Sequence, residues 1–116
     1  MSFQVINPAT GETVKEIPVW DNASVEAALS QVAAATPGWA GRPMAERCEL
    51  MRKAAQVLRD NKEKYAQIIT TEMGKLITDA RAEVEKCASV CDYYAEHGPE
   101  FLKDETLASD ASHSFV

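Results

Sequence analysis

The first 20 residues have the pattern of a β-hairpin. Segments 3–6 and 13–19 are rich in β-branched residues, as strands are, and Pro18 is typical of an edge strand or a strand end. Between them, segment 7–12 reads NPATGE, a run of residues that favour turns. The pattern therefore predicts a two-stranded hairpin over residues 1–20.

From residue 21 to residue 105, apolar residues recur every three or four positions, which is the period of an α-helix. Start and stop signals divide this stretch into four helices. In chain order the signals are the N-cap Ser24, the breaker pair Pro37 and Gly38, the first-turn residue Pro43, Asn61 as the end of the second helix and cap of the third, the terminator Gly74, the N-cap Thr78, and the breaker pair Gly98 and Pro99. Residues 106–116 form a polar tail, so the sequence predicts a mainly α fold with an N-terminal β-hairpin.

Each predicted helix has an apolar stripe that must be covered. The stripes are Val25, Ala28, Leu29 and Val32 in the first helix, Met44, Cys48, Met51, Ala55 and Leu58 in the second, Tyr65, Ile68, Ile69 and Met73 in the third, and Ala80, Val84, Cys87, Ala88, Cys91 and Tyr94 or Ala95 in the fourth. Two arrangements satisfy them: the helices pack on one another, or they cover a sheet made by other sequence. The apolar pair Phe115 and Val116, placed as though a strand began there, favours the second.

The charge balance narrows the classes of partner. The chain has 12 Lys and Arg residues against 18 Asp and Glu residues, a net charge of −6, so we expect neither nucleic acid nor a membrane surface as a partner. No apolar run approaches the ~20 residues of a membrane-spanning helix, and residues 1–8 lack the pattern of a secretory signal. The three cysteines are interpreted as reduced thiols of a cytoplasmic protein.

The residues that carry chemistry do not assemble into an active site by their spacing. Cys87 and Cys91 lie one helical turn apart, but a structural zinc site takes four ligands and neither His97 nor His113 is suitably placed. We expect both thiols, like Cys48, to be small core residues, and both histidines to be solvated. The glycines form no dinucleotide-binding or phosphate-binding motif. The residues alone therefore indicate no catalytic and no cofactor-binding site.

Several short segments nevertheless occur in a specific order and spacing: INPATGE at 6–12, PGW at 37–39, AER at 45–47, LMRKAA at 50–55, ITTEMGK at 69–75, ARAEV at 80–84 and CDYYAEHGP at 91–99. Together they resemble the N-terminal part of the aldehyde dehydrogenase superfamily over residues 3–105. The last segment resembles the succinate-semialdehyde dehydrogenase branch in particular.

The resemblance implies the chemistry of a longer chain. Members of the family oxidise aldehydes to carboxylic acids with NAD or NADP: a cysteine thiolate attacks the aldehyde, hydride passes to the nicotinamide, and the thioester is hydrolysed. The catalytic and cofactor-binding residues of the family come from later sequence, and none maps onto this chain. Residues 1–116 are expected to be the N-terminal portion of a Rossmann-like cofactor-binding domain, with the hairpin at 1–20, four helices at 21–105 and the tail at 106–116.

The resemblance also implies partners and one possible site. The isolated chain is expected to be catalytically inactive, to bind no cofactor alone, and to pack against the remainder of an aldehyde dehydrogenase that is itself a homo-oligomer. A monovalent cation would use the carbonyl of Ile6 and the carboxylate of Glu83, with one later residue. The alternative is a small self-sufficient helical interaction module that has lost the family chemistry. The first hypothesis predicts open apolar surface, and the second predicts a compact unit.

Overall fold

The structure, a computed structural model, describes residues 2–116 as one hairpin followed by four helices. The elements are β1 (Ser2–Ile6), β2 (Thr13–Pro18), α1 (Asn22–Ala40), α2 (Met44–Asp60), α3 (Lys62–Met73) and α4 (Ile77–Phe101). The predicted mainly α fold with an N-terminal hairpin is confirmed. Within residues 2–116, none of the helices combines the length and the apolar character that crossing a bilayer requires.

The hairpin is antiparallel, with Phe3 opposite Ile17 and a bulge before the end of β1. Its turn is closed by local hydrogen bonds: the side chain of Asn7 accepts from the backbone N–H of Ala9 at 2.9 Å, and the N–H of Gly11 donates to the carbonyl of Asn7 at 2.8 Å. Gly11 has φ +73°, a conformation that glycine adopts without strain. The turn chemistry predicted from the sequence is therefore present.

Helix α1 begins and ends at different residues from those predicted. Its N-cap is Asp21, whose carboxylate accepts the backbone N–H of Ser24 at 2.8 Å, so Ser24 is the capped residue. This hydrogen bonding lowers the pKa of Asp21. Pro37 lies inside the helix, which continues to Ala40, because a proline in the last turn removes only one hydrogen bond and the N–H of Gly41 still reaches the carbonyl of Pro37 at 3.0 Å.

Helix α4 departs from its predicted limits for a related reason. It starts at Ile77 after Leu76, with no side-chain cap, so Thr78 is inside the first turn. Pro99 was predicted to end the helix, but α4 runs on to Phe101. Hydrogen bonding and packing along a 25-residue helix outweigh the local preference of single residues near its ends.

Asn61 and Gly74 mark the two ends of α3. Asn61 ends α2 and occupies the N-cap position of α3, as predicted. Its side chain makes no capping hydrogen bond to α3, and its amide instead donates to the carbonyl of Val57 at 2.9 Å. Gly74 is the predicted left-handed terminator, with φ +70°. A Cβ atom on Gly74 would lie 2.8 Å from Cγ of Pro8, so the turn of the hairpin rests on the α3–α4 connection.

Helix α4 packs against α2 and α3, and the three helices form a layer with a core of small residues. The buried side chains are Cys48, Ala55, Ala66, Ala80, Val84, Ala88 and Ala95. Alanine adds nothing beyond Cβ, so the helices approach closely. In α3 the predicted stripe is wrong in part: Ala66 is buried, whereas Ile68 and Met73 are exposed.

The hairpin and α1 make few contacts with this layer beyond the contact of the hairpin turn with Gly74. The radius of gyration is 20.5 Å, whereas a compact chain of this length has about 13 Å. The accessible surface is 9105 Å², whereas a compact protein of this mass has about 6,200 Å². Helix α1 has no buried residue, and its predicted stripe is open to solvent except at the half-buried Ala28. The chain is therefore much more open than a compact single domain.

The tail folds back on itself after α4. Glu105 and Val116 exchange two backbone hydrogen bonds of 3.0 Å, and Thr106 pairs with Phe115 in an antiparallel bridge. The strand expected to begin at the apolar end of the chain is present only as this single bridge.

Candidate functional site

Helix α4 has a second row of apolar side chains beside the row that packs on α2 and α3. The row consists of Cys87, Val90, Tyr94 and Phe101, spaced three, four and seven residues apart. Val90 is 45%, Tyr94 53% and Phe101 58% exposed. A helix that packs on one partner carries one apolar stripe, so this wider apolar arc is typical of a helix between two layers. We call these four residues the open face of α4.

Aromatic contacts organise the end of the open face. The ring centroids of Tyr93 and His97 are 4.5 Å apart, and Phe101 lies 6.1 Å from each of them. His97 is therefore partly covered by two aromatic rings and keeps part of its surface exposed to solvent. His113 in the tail is exposed, as predicted.

The hairpin and α1 extend the exposed apolar surface beyond α4. Their exposed large apolar side chains are Phe3, Ile6, Val14, Ile17, Val19, Trp20, Val25, Leu29, Val32 and Trp39. Trp20 and Trp39, which flank the two ends of α1, are 62% and 45% exposed. Where such side chains adjoin one another they mark interaction surfaces, because monomeric proteins rarely expose large contiguous apolar patches.

The three cysteines occupy different environments and form no disulfide. Cys48 is buried in the layer, as predicted, and Cys91 is half-buried. Cys87 is exposed, so its prediction as a core residue is wrong: it lies at the edge of the packed stripe and belongs to the open face. Among residues 2–116, no three His, Cys, Asp or Glu side chains are grouped as metal ligands would be.

The two residues predicted to hold a monovalent cation lie on different elements. Ile6 is the last residue of β1. The turn that follows it contains Pro8, whose ring lies against Gly74. Glu83 lies on α4, and its carboxylate is paired with the ammonium of Lys75, the residue after Gly74. The hairpin turn and Glu83 therefore both contact the α3–α4 connection, the turn at Gly74 and Glu83 at Lys75. The ammonium of Lys75 already pairs with the Glu83 carboxylate.

Ion pairs hold α4 to its two neighbours. The guanidinium of Arg59 in α2 donates to the carboxylates of Glu85 and Asp92 in α4, and both N···O distances are 2.8 Å. Glu63 of α3 accepts two hydrogen bonds from Arg81 of α4, at 2.7 and 2.9 Å. Two acidic residues of α4, Glu85 and Asp92, are thus partners in the α2–α4 contact.

These contacts lower the pKa values of two glutamates. The hydrogen bond from Arg59 lowers the pKa of Glu85, and the bidentate hydrogen bond from Arg81 lowers that of Glu63. A carboxylate whose pKa is lower in the folded state stabilises the fold above the pKa of the unfolded chain. That stabilisation is lost as the pH falls from about 4.3, the usual glutamate value, through the lowered one.

Glu85→Gln is accordingly expected to reduce the loss of thermal stability on acidification, because it removes one of the groups that must be protonated. Circular-dichroism melting of the chain at neutral pH and at about pH 4 measures this loss. Glu72→Gln, an exposed position on α3, makes the same charge change and is the control. If Glu85→Gln, Glu72→Gln and the unaltered chain lose the same thermal stability on acidification, the lowered pKa of Glu85 does not contribute to the acid sensitivity.

The sequence profile of the aldehyde dehydrogenase family matches residues 1–116, the whole chain. The chain belongs to the aldehyde dehydrogenase family. A succinate semialdehyde dehydrogenase [NAD(P)+] of Escherichia coli is 48% identical over 101 residues, which is 86% of this chain and 22% of that protein. A probable succinate-semialdehyde dehydrogenase [NADP(+)] of Synechocystis sp. is 40% identical over 116 residues, which is 100% of this chain and 26% of that protein.

Solved aldehyde dehydrogenase structures contain the same arrangement of elements. The succinic semialdehyde dehydrogenase of Streptococcus pyogenes, in complex with NADP+, superposes with a TM-score of 0.89 at 32% identity. The match covers 97% of this chain and 25% of that one. This chain therefore spans about a quarter of the aldehyde dehydrogenases that it matches.

The open face of α4 is the feature that the sequence patterns failed to identify. Val90 and Phe101 belonged to no predicted stripe, because each helix was assigned a single apolar row. The signal was present in the spacing: Cys87, Val90, Tyr94 and Phe101 recur at helical intervals beside the packed row.

Proposed function

We propose that this chain is the N-terminal hairpin and helical layer of an NAD(P)-dependent aldehyde dehydrogenase that oxidises succinate semialdehyde. Its role is structural: the helices cover a sheet of the cofactor-binding domain, and the chain supplies none of the reacting groups. The similarity to succinate-semialdehyde dehydrogenases, at 48% and 40% identity, supports the substrate. One of these relatives is named for NAD(P)+ and the other for NADP+, which supports a nicotinamide cofactor without separating NAD from NADP.

The observation that carries this proposal is the unequal coverage of α4. One side of the helix buries Ala80, Val84 and Ala88 against α2 and α3, while Val90 and Tyr94 of the open face remain about half exposed. Covering such side chains is favourable by roughly 25 cal/mol for each Å² of apolar surface removed from water. A further layer on this side would gain that energy, and the rest of an aldehyde dehydrogenase chain is the natural source.

The proposal includes the monovalent cation site at Ile6 and Glu83. A carbonyl and a carboxylate supply the oxygen ligands that hard cations prefer. In this structure the ammonium of Lys75 pairs with Glu83, so a cation at this site would compete with Lys75 for the carboxylate. Bound there, a cation would tie the end of β1 to α4, and Ile6 would contribute through its backbone.

The self-sufficient interaction module is the weaker alternative. A module of that kind buries its own apolar side chains and is compact, whereas this chain extends over 67 × 39 × 23 Å. Its helix α1 has no buried residue. These dimensions favour a layer that another polypeptide completes.

Association with a truncated relative tests the proposed function. The partner is the Synechocystis protein lacking the part that matches residues 1–116, produced together with this chain. We expect the two polypeptides to co-purify and to oxidise succinate semialdehyde with NADP, while this chain alone is inactive. Failure to associate, or oxidation of the aldehyde by this chain alone, would refute the proposal.

A matched pair of variants tests whether the open face makes the contact. Val90→Asp buries a carboxylate in the proposed interface and is expected to weaken association by about a hundredfold or more. Val57→Asp introduces the same charge at a 51% exposed valine of α2 and should change the affinity by no more than about twofold. Similar dissociation constants for the two variants would show that the contact lies elsewhere.

A further inference from the structure

Helix α1 carries an apolar row that residues 2–116 leave largely uncovered. Its members are Val25, Ala28, Val32, Ala35 and Trp39, spaced three, four, three and four residues apart. Val25 is 42%, Val32 65% and Trp39 45% exposed, and α1 has no buried residue. The alternation of three and four is the heptad spacing with which one helix packs along another. We call these five residues the α1 row.

The side chains of the α1 row alternate in size. Val25, Val32 and Trp39 occupy one position of the heptad, and the smaller residues Ala28 and Ala35 occupy the other. When two copies of α1 lie antiparallel, residues of the first position face residues of the second on the other helix. A large side chain then meets an alanine in each layer, which is the arrangement in which facing layers interdigitate. The α1 row is therefore complementary to a second copy of itself.

The net charge of the chain restricts where two copies can meet. That charge is −6, so like copies repel each other unless the contact lies on a nearly uncharged surface. Glu26 is the only charged side chain between Asn22 and Ala40, and it lies outside the α1 row. Helices α2, α3 and α4 each carry charges of both signs along their length. Among the four helices, α1 offers the contact with the least repulsion.

The two ends of α1 have opposite charges. Glu26 lies near its start, whereas the guanidinium groups of Arg42 and Arg47 lie 5.9 and 5.6 Å from the ring centroid of Trp39 near its end. Glu46 is the only acidic residue in segment 40–47, so this end is positive. Antiparallel packing brings the acidic end of each copy to the basic end of the other, and parallel packing would bring like ends together.

The exposed area of the chain is sufficient for such a dimer. The accessible surface of 9105 Å² exceeds that of a compact protein of this mass by about 2,900 Å². A standard protein interface removes about 800 Å² from each partner. A contact of that size at α1 leaves excess surface elsewhere, including the open face of α4.

We propose that a second copy of this chain binds at α1, with the α1 rows of the two copies packed antiparallel about a two-fold axis. Two-fold dimers are the commonest homo-oligomers, and the same surface of each copy then makes the contact. The interface goes beyond the proposed function. It shares no residue with the open face of α4, so dimerisation through α1 does not require that face.

Sedimentation equilibrium of the full chain tests the interface. We expect monomers of 12.7 kDa in equilibrium with dimers of twice that mass, with a dissociation constant of about 1–100 µM. Val32→Asp places a carboxylate in the middle of the α1 row and is expected to weaken dimerisation by about a hundredfold or more. Val57→Asp on α2 and Val90→Asp on the open face of α4 are the matched controls and should change the dissociation constant by about twofold at most.

A mixture of two variants separates a lost contact from a loss of folding. Residue 32 lies close to the proposed two-fold axis, so the side chains of residue 32 in the two copies are neighbours. Val32→Asp and Val32→Lys are each expected to be monomeric, because like charges face each other. An equimolar mixture should dimerise about tenfold or more tightly than either variant alone, because the charges are then opposite. A mixture that stays monomeric would overturn the pairing.

The remaining outcomes separate the dimer from the proposed function. A species of 12.7 kDa at every concentration up to about 1 mM, aggregates of no fixed size, or equal weakening by Val32→Asp and Val90→Asp would overturn the α1 interface. Association with the truncated Synechocystis protein is measured independently. If that association fails while the dimer forms, the proposed function is wrong and the α1 interface stands.

Discussion

Ala88→Leu is expected to lower the free energy of unfolding of this chain by about 2–3 kcal/mol. Ala88 has no accessible surface and lies in the packed side of α4. The core of the layer consists largely of alanines, so three additional carbon atoms have no space unless the helices separate. Urea denaturation followed by circular dichroism measures the change as a shift of the midpoint.

Ala82→Leu is the control for this substitution. It makes the same change on an exposed side of the same helix, so it alters helix propensity without altering the core. Its cost should stay within about 0.5 kcal/mol. A similar loss at both positions would mean that the layer is not tightly packed around Ala88.

Gly74→Ala is expected to cost about 2–3 kcal/mol, because two effects act at one residue. Alanine in the left-handed conformation costs roughly 1–2 kcal/mol, and Gly74 has φ +70°. The added Cβ would also stand 2.8 Å from Cγ of Pro8 and push the hairpin turn off the α3–α4 connection. The measurement is again the free energy of unfolding in urea.

Two further variants separate the backbone effect from the contact. Gly11 has φ +73° and nothing within 4 Å of its Cβ position, so Gly11→Ala should show the backbone cost alone, about 1–2 kcal/mol. Pro8→Ala combined with Gly74→Ala should recover part of the loss, because the clash is removed. Equal costs at both glycines, with no recovery from Pro8→Ala, would disprove the hairpin contact.

Local patterns were sufficient to predict the elements, because turns and helices depend on neighbouring residues. The NPATGE turn, the break at Asn61 and the left-handed Gly74 all follow from backbone preferences that act over a few positions. The helix ends at Ser24 and Pro37 were misplaced for a different reason. Asp21 competed with Ser24 as the cap, and a proline in a last turn is tolerated once the rest of the helix has formed.

Burial was harder to predict than secondary structure. In α4, Ala88 and Cys87 are adjacent in sequence and both apolar, yet one is fully buried and the other is exposed. The difference arises from the angle at which α2 and α3 approach α4, which no pattern within α4 contains. The open face is likewise a product of this geometry, because it is defined by what the neighbouring helices leave uncovered.

By itself, the sequence determined the hairpin, the number of helices and membership of the aldehyde dehydrogenase family, since these depend on local preference and on the order of short motifs. Only the tertiary structure decided which apolar residues are covered. Burial is a property of two surfaces in contact, and the partner surface lies far away along the chain. For the open face of α4, the neighbouring helices leave Val90, Tyr94 and Phe101 exposed, and the pattern within α4 does not contain that outcome.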